Sequence, residues 1–197
     1  MTDIILASTS KYRQQQFLQL GLPFEAHRPL YDEDLAKTQL LGLNPRELAL
    51  ALAEGKARSL AEKAKTVIGA DQLVSLQGKI LGKPGSVEAC EQQLFEMQGQ
   101  SHELITAVTV LHRGRAASIL DVTTLKMRPL SMAQIKKYVK LDKAIDCAGG
   151  YKIEEHGMLL FDSIQSHDWS SIQGLPLLQL ARILRDFGFD PLTPEER

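Results

Sequence analysis

The sequence has little of several features that would point to a function at once. Its two cysteines, Cys90 and Cys147, have no metal-ligand spacing, and its five histidines form no HExxH or HxH pattern, so we expect no dedicated zinc site. A Walker loop, a GxSxG elbow and a GxGxxG fingerprint are also missing. Their absence removes the commonest NTPase, serine hydrolase and dinucleotide-binding interpretations.

An excess of charge and a long apolar run are missing too. The 197 residues carry 23 Lys and Arg against 24 Asp and Glu, so the chain has no overall attraction for nucleic acid or an acidic membrane. No stretch approaches the roughly 20 apolar residues that span a bilayer, and the first residues do not resemble a secretory signal. With both cysteines expected to be reduced thiols, the sequence predicts a cytoplasmic protein. Neither a membrane nor nucleic acid is an expected partner.

Hydrophobic patterning predicts interleaved strands and helices. Residues 3–7 indicate a strand that leads through a polar turn into a helix ending at Gly21, and residues 45–64 indicate a helix capped by Asn44. Further expected elements are a hairpin from TVIGADQLVSL to KILG turning at Gly78, a helix after Ser86, strands near 103–112 and 117–128, a helix capped by Ser131 with Gln134, and a final helix ending at Gly188. This order predicts an α/β fold with a mixed, twisted sheet and flanking helices.

The turn from Ser8 to Arg13 is the first candidate for ligand binding. It joins a strand to the start of a helix, so its N–H groups would lie at the positive end of the helix dipole, beside Lys11 and Arg13. This arrangement predicts a phosphate cradle. The alternative is that Ser8 and Ser10 only cap the helix, and local sequence alone favours it because such turns are common.

Two charged residues stand in unusual surroundings. Asp71 interrupts the apolar run IGADQLV, and a buried carboxylate needs a metal, a cation or hydrogen bonds, so catalytic and structural roles are equally open. Lys83 follows Gly82, which lets a ligand approach the backbone, and precedes Pro84, which fixes the geometry. Such a lysine can reach a phosphate, or it can be a solvated loop residue.

An acidic cluster at Asp32, Glu33 and Asp34 is a third candidate. It is either a solvated turn or a source of Mg²⁺ ligands, because hard cations take carboxylate oxygens. On local evidence, Glu54 and Lys56 in the helix that follows could equally be surface residues.

Together these segments resemble the Maf-like nucleotide pyrophosphatases over almost the whole chain. One tetrapeptide would mean little, but eight matching segments occur in the family's order. They are LASTSKYR (6–13), YDED (31–34), ALAEGKA (51–57), GADQLV (69–74), GKILGKP (78–84), SHELIT (101–106), CAGGYKIE (147–154) and GLPL (174–177).

The resemblance implies that residues 1–197 form one Maf-like domain of two lobes. Its fold would be related to the inosine triphosphate pyrophosphatases, with the active site in the cleft between the lobes, a divalent cation (Mg²⁺ or Mn²⁺) and often a homodimer. A nucleoside triphosphate would be cleaved to the monophosphate and pyrophosphate. The implied roles are phosphate binding by Ser8 and Arg13, lining of the site by Lys56, charge neutralisation by Lys83, metal and water binding by Glu33 and Asp71, and proton acceptance by Asp71.

Three further positions sort substrates within the family. The pyrimidine branch has Arg, Thr and Gln where this chain has Tyr12, Gln72 and Glu154, and the 7-methyl-GTP branch has Trp, Gln and Glu. The resemblance is therefore closer to the 7-methyl-GTP branch. A carboxylate can accept from guanine N1–H and N2–H, and an aromatic face attracts a cationic methylated base.

Two alternatives stay open at this point. One is a dTTP or UTP pyrophosphatase of the same family, because AGGYKI is closer to the pyrimidine branch. The other is a non-catalytic binding protein for nucleotides or nucleic acid that regulates septum formation.

Overall fold

A computed structural model describes residues 3–61 and 66–193. Within these ranges the chain forms six α-helices and seven β-strands, and none of these helices is long and apolar enough to cross a membrane. In chain order the elements are β1 (Ile4–Ala7), α1 (Lys11–Leu18), β2 (Glu25–His27), α2 (Glu33–Gln39), α3 (Pro45–Arg58), β3 (Thr66–Leu76), β4 (Lys79–Leu81), α4 (Val87–Met97), β5 (Ser101–His112), β6 (Arg115–Met127), α5 (Met132–Asp142), β7 (Phe161–Gln165) and α6 (Leu177–Asp186), with 3-10 helices at Ala148–Gly150, Gly157–Leu160 and Trp169–Gln173.

The strands form a mixed sheet. Their order is β2-β1-β3-β5-β6-β7, with β4 paired to β3. β1 runs parallel to both β2 and β3, whereas β3 with β4 and β6 with β7 are antiparallel pairs. The prediction of an α/β fold on a mixed sheet is therefore confirmed.

Contacts divide the chain into two compact units. The first unit contains Met1–Gln72, Thr106–Asp121 and Asp168–Arg197, and the second contains Leu73–Ile105 and Val122–His167.

In the first unit the two faces of β1 and β3 meet different helices. Successive side chains of a strand point to opposite faces, so alternate residues pack together. One face joins α1 and α6 in a cluster that includes Ile4, Leu6, Phe17, Ile68, Ala70, Leu180 and Leu184. The other face meets α3 through Ile5, Ala7, Val67 and Ala57. By this alternation Gly69 and Asp71 share the α3 face of β3, and Gln72 lies on the opposite face.

In the second unit α4 packs against α5 and the double glycine of CAGGYKIE. Gly150 has φ +75°, and a Cβ there would lie 2.9 Å from the sulfur of Cys90, so both conformation and space require glycine. The next residue, Tyr151, packs its ring 5.6 Å from that of His102 and 5.1 Å from that of Phe161. This packing fixes the start of the segment that carries Glu154.

Locally encoded features agree with the sequence predictions. The capping box of Asn44 and Glu47 begins α3, and that of Ser131 and Gln134 begins α5. The helix predicted over 45–64 ends earlier, at Arg58, and residues 62–64 of that prediction lie outside the described residues.

The early end of α3 has a local cause. The hydroxyl of Ser59 donates to the carbonyl of Lys56 at 2.8 Å and so occupies an acceptor of the last turn.

The acidic cluster was not predicted to be helical, and here the structure differs. Asp32 caps α2 by accepting from the N–H of Leu35 at 2.9 Å, and Glu33 is the first residue of that helix. β2 was also not predicted, because its three residues are all exposed and show no alternation.

Candidate active site

Gly69 lets α3 lie very close to β3. A Cβ at Gly69 would overlap the carbonyl oxygen of Ala53 and lie 2.5 Å from the backbone nitrogen of Ala57. Both alanines are fully buried, so only small residues line this contact. The close approach brings Lys56 of α3 beside Asp71, which lies two residues beyond Gly69 on the same face of β3.

Lys56 joins two carboxylates. Its Nζ donates to Oδ1 of Asp71 at 2.6 Å and pairs with Oε2 of Glu33 at 2.7 Å. The other oxygen of Glu33, Oε1, accepts from Nζ of Lys37 at 2.6 Å. The side chains of Lys56 and Asp71 are 12% and 6% exposed, so this pair is largely removed from water.

The second oxygen of Asp71 is buried and has no hydrogen-bond partner among the described residues. A buried carboxylate oxygen without a partner is costly, and most such groups in proteins have one. Oδ2 of Asp71 therefore keeps unused hydrogen-bond acceptor capacity.

The charges of the cluster hold Glu33 in its ionised form. Burial alone would raise the pKa of Glu33, but the ammonium of Lys56 and hydrogen bonds from Lys37 and Lys56 lower it to about 2. Glu33 thus remains a carboxylate at any physiological pH.

Tyr31 lies against the same cluster. Burial raises the pKa of Tyr31, and the negative charges of Glu33 and Asp71 raise it further. A Cβ at Gly55 in α3 would overlap the Tyr31 ring. Glycine costs a helix interior about 1 kcal/mol relative to alanine, and here it leaves room for the Tyr31 ring.

The N-terminus of α1 adds a guanidinium. Ser10 caps the helix by accepting from the N–H of Arg13 at 3.4 Å. Ser8, which is buried, accepts from the N–H of Ser10 at 3.2 Å. Arg13 donates to the carbonyls of Ala70 at 2.9 Å and Gly174 at 3.2 Å. Burial lowers the pKa of Arg13, while the nearby carboxylates of Asp71 and Glu33 oppose that shift. The capping interpretation is confirmed for Ser10, whereas Ser8 accepts from the N–H of Ser10 ahead of the helix, and phosphate binding by Ser8 stays a prediction.

Gln72 faces away from Asp71 and anchors a distant turn. Its Nε2 donates to Oγ1 of Thr106 at 2.8 Å and to the carbonyl of Ser171 at 2.9 Å. The Thr106 hydroxyl donates to the same carbonyl of Ser171 at 3.1 Å, so its oxygen must accept from Gln72. The orientation of the amide is thereby fixed, and no hydrogen bond from a described residue reaches its Oε1.

Two of the expected site residues lie in the second unit. Burial raises the pKa of Cys147, and Lys152, Glu154 and Lys83 all act electrostatically on its thiol. Lys83 and Glu154 therefore lie in one neighbourhood, around Cys147, and both are exposed. Tyr12, in the first turn of α1, is 39% exposed.

Residues 3–187 match the family model for the Maf-like proteins. The chain belongs to this family.

Several curated relatives of this Maf-like chain carry one name. A protein of Bdellovibrio bacteriovorus named 7-methyl-GTP pyrophosphatase is 48% identical, over 93% of this chain and 96% of its own length. Proteins of the same name from Xanthomonas campestris and Bordetella pertussis are 42% and 39% identical, over 96% of this chain and 98% and 94% of their own lengths. Among solved structures, a HAM1 protein from Coxiella burnetii is similar, with 12% identity, a TM-score of 0.48 and coverage of 94% of this chain and all of the other.

In this Maf-like chain the structure brings four of the expected residues into one cluster: Arg13, Glu33, Lys56 and Asp71. Lys56 is not a surface residue, whereas Glu54, the other helical candidate, pairs with Arg58 on the exposed side of α3.

Three participants were not predicted: Tyr31, Lys37 and Thr106. Lys37 could have been found, because it lies four residues after Glu33 on one helix. No local sequence pattern predicted the role of Thr106, because its hydrogen-bond partners are distant in sequence.

Proposed function

We propose that this chain hydrolyses 7-methyl-GTP to 7-methyl-GMP and pyrophosphate. The observation that carries the proposal is Asp71, whose Oδ1 is held by Lys56 and whose buried Oδ2 has no partner among the described residues. Relatives that are 39% to 48% identical and match nearly the full chain are named for this activity. A carboxylate with one oxygen bonded to Lys56 and the other without a partner suits a group that orients water.

In the proposed reaction a water molecule attacks the α-phosphorus. The new bond joins the water oxygen to the α-phosphorus, and the bond from that phosphorus to the bridging oxygen of the β-phosphate breaks. Pyrophosphate leaves with the bonding electron pair, and a proton of the water passes to Asp71. Such phosphoryl-type reactions depend mainly on positioning and charge neutralisation.

Positive groups supply that neutralisation. Arg13 and Lys56 lie beside the two carboxylates, and the first-turn N–H groups of α1 have no acceptor within the helix. We expect Arg13, Lys56 and Ser8 to bind phosphate oxygens, and Lys83 to add a further positive charge from its short loop.

A divalent cation fits this site. Oδ2 of Asp71 lacks a partner among the described residues, and Glu33 is ionised and partly exposed, so both can serve as hard oxygen ligands. The described residues offer no group of three or more His, Cys, Asp or Glu for a metal, so substrate phosphates would have to supply further ligands. When bound, Mg²⁺ or Mn²⁺ would neutralise charge on the phosphates.

Three residues are proposed to select the base. The fixed amide of Gln72 presents an acceptor, Oε1, and Glu154 offers a second acceptor without a described hydrogen bond of its own. Guanine has two adjacent donors, N1–H and N2–H, whereas uracil and thymine have one N–H between carbonyls that would repel a carboxylate. Tyr12 can stack on the cationic methylated ring.

The first experiment replaces Asp71 by Asn. If the Asp71 carboxylate accepts the proton, Asp71→Asn should lower kcat by at least about 10²-fold while much of the substrate binding remains. Asp121→Asn, which changes a buried carboxylate on β6, is the matched control for loss of a buried charge. Loss of thermal stability in Asp71→Asn with little change in kcat would show that the carboxylate is structural.

Product analysis separates the alternatives. The wild-type protein with Mg²⁺ or Mn²⁺ should release pyrophosphate and monophosphate from 7-methyl-GTP. Diphosphate and orthophosphate as products would refute attack at the α-phosphorus. Faster turnover of dTTP or UTP would reassign the chain to the pyrimidine branch, and binding without turnover would favour a non-catalytic role.

A further inference from the structure

Resting on the proposed function, we infer that α5 contributes two positioning residues for base selection, Tyr138 and Asp142, which hold the loop that carries Glu154. This loop, Lys152–Gly157, is called the Glu154 loop below. All the contacts that support the inference lie within the second unit.

The Glu154 loop is closed on itself. The N–H of Gly157 donates to the carbonyl of Lys152 at 2.8 Å, and the N–H of Glu155 reaches the same carbonyl at 3.3 Å. A Cβ at Gly157 would overlap that carbonyl, so this tight closure needs glycine. The two ends of the loop are thereby tied to one point.

Helix α5 holds both ends of this closed loop. At one end, the hydroxyl of Tyr138 accepts from the N–H of Lys152 at 3.2 Å. At the other end, Asp142 accepts from the N–H of His156 at 3.1 Å and pairs with its Nδ1 at 2.5 Å. Tyr138 and Asp142 are four residues apart, so they lie on one face of α5, and both are buried.

The helix that provides these anchors is itself firmly placed. Its first turn is fixed by the Ser131 capping box, and its apolar residues Ile135 and Val139 are buried. It also packs against α4. The anchors are therefore attached to a packed element and not to another loop.

Glu154 depends on these anchors for its position. Ile153 is buried, whereas Glu154 and Glu155 are exposed, and no described residue donates a hydrogen bond to the carboxylate of Glu154. The side chain therefore has no support of its own, and its place is set by the backbone of the loop. A carboxylate that reads two donors on a base must be held within a few tenths of an ångström of the productive geometry.

A buried carboxylate is a costly way to gain stability. The Asp142 side chain is 1% exposed and that of His156 is 51% exposed, so the carboxylate is the buried partner that orients an exposed loop residue. Asp142 accepts from the backbone N–H of His156 and pairs with its ring, and it is also hydrogen-bonded to the Tyr138 hydroxyl, so the two anchors support each other.

The test uses Tyr138→Phe, which removes one hydroxyl and keeps the ring, and Asp142→Asn. With 7-methyl-GTP, Tyr138→Phe should lower kcat/KM by about three- to tenfold, the loss expected for the hydrogen bond from the loop backbone to the Tyr138 hydroxyl, through KM and not kcat. Hydrolysis of dTTP should change less than twofold. Thr123→Val, which removes a buried hydroxyl bonded to Ser166 in the same unit, should leave the ratio of the two substrates unchanged.

A double-mutant cycle separates positioning from general stability. If Tyr138 acts through Glu154, adding Tyr138→Phe to Glu154→Gln should not reduce selectivity further. Equal losses for both nucleotides, or full additivity with Glu154→Gln, would overturn the inference. The kinetics of Asp142→Asn are interpreted only if this variant unfolds cooperatively. If it does not, Tyr138→Phe alone tests the inference. If the wild-type protein fails to cleave 7-methyl-GTP, it is the proposed function that is wrong.

Discussion

At the scale of single residues, Lys56 is the side chain that links the two carboxylates of the site. Its ammonium stands between the carboxylates of Asp71 and Glu33 and contacts one oxygen of each. Lys56 therefore keeps two acidic groups together before any phosphate binds. The same charge is then available to the substrate.

This arrangement has a consequence for acid stability. The pKa of folded Glu33 is about 2, below its usual 4.5, so ionised Glu33 stabilises the fold above pH 4.5, and this stabilisation is lost as the pH falls toward 2. In Lys56→Met the main positive neighbour is gone and burial raises the pKa of Glu33. We expect the loss of unfolding free energy between pH 4.5 and 2 to be smaller in the variant than in the wild type.

Denaturant unfolding at several pH values measures this difference. Lys79→Met is the control, because Lys79 pairs with Glu96 on the exposed surface at 3.4 Å, and exposed pairs contribute little. It should follow the wild-type curve. A Lys56→Met curve parallel to the wild type would show that Lys56 does not set the ionisation of Glu33.

At the scale of elements, the contact of α3 with β3 builds the site, and two glycines permit it. Gly69→Ala should be severely destabilising, because the new methyl would meet the backbone of α3, which cannot move without separating helix and strand. Gly55→Ala should cost less, since the group it meets is the Tyr31 ring, the far end of a side chain. Melting temperatures of the two variants provide the comparison.

Activity adds a second readout for these variants. If the α3–β3 contact positions Lys56 beside Asp71, any folded Gly69→Ala protein should also lose kcat. Gly82→Ala is the stability control, because a Cβ there meets nothing within 4 Å. Equal melting temperatures for Gly69→Ala and Gly82→Ala would contradict the close approach.

The elements also show what sequence can predict. The capping boxes at Asn44 and Ser131 were predicted because donor and acceptor lie within four residues of each other. The pairing of Glu33 with Lys56 was not predictable in this way, because Lys56 follows 23 residues later on another helix. The contact of Gln72 with Ser171 joins residues 99 positions apart, and no local sequence pattern predicts it.

Family resemblance supplied what local patterns could not. Single segments left Asp71 and Lys56 undecided between structural and functional roles, whereas the order of eight motifs assigned both to one site. In the structure the side chains of Lys56 and Asp71 are hydrogen-bonded at 2.6 Å, and their roles in the reaction stay predictions. The metal, a homodimer and the cytoplasmic location stay predictions.

At the scale of the whole molecule, the near-neutral chain implies that selectivity comes from a few contacts and not from a general field. Tyr12 and Glu154 are proposed to read different features of one base. In this proposal Glu154 would distinguish guanine from a pyrimidine through the N1–H and N2–H donors of guanine, and Tyr12 would distinguish the cationic methylated ring from the neutral one.

Substitutions at Glu154 and at Tyr12 should therefore change different substrate preferences. Glu154→Gln should narrow the ratio of kcat/KM between 7-methyl-GTP and dTTP, because a wrong base then leaves fewer polar groups unpaired. Tyr12→Leu should instead narrow the ratio between 7-methyl-GTP and GTP, by roughly two- to fivefold for an exposed cation–π contact of about 0.5–1 kcal/mol. The controls are Glu155→Gln, an exposed neighbour, and Phe95→Leu, an aromatic residue that is 40% exposed where Tyr12 is 39% exposed. Steady-state kinetics with the three nucleotides measure both ratios. If Tyr12→Leu lowered turnover of GTP and 7-methyl-GTP equally, the ring would contribute packing and not recognition of the methylated base.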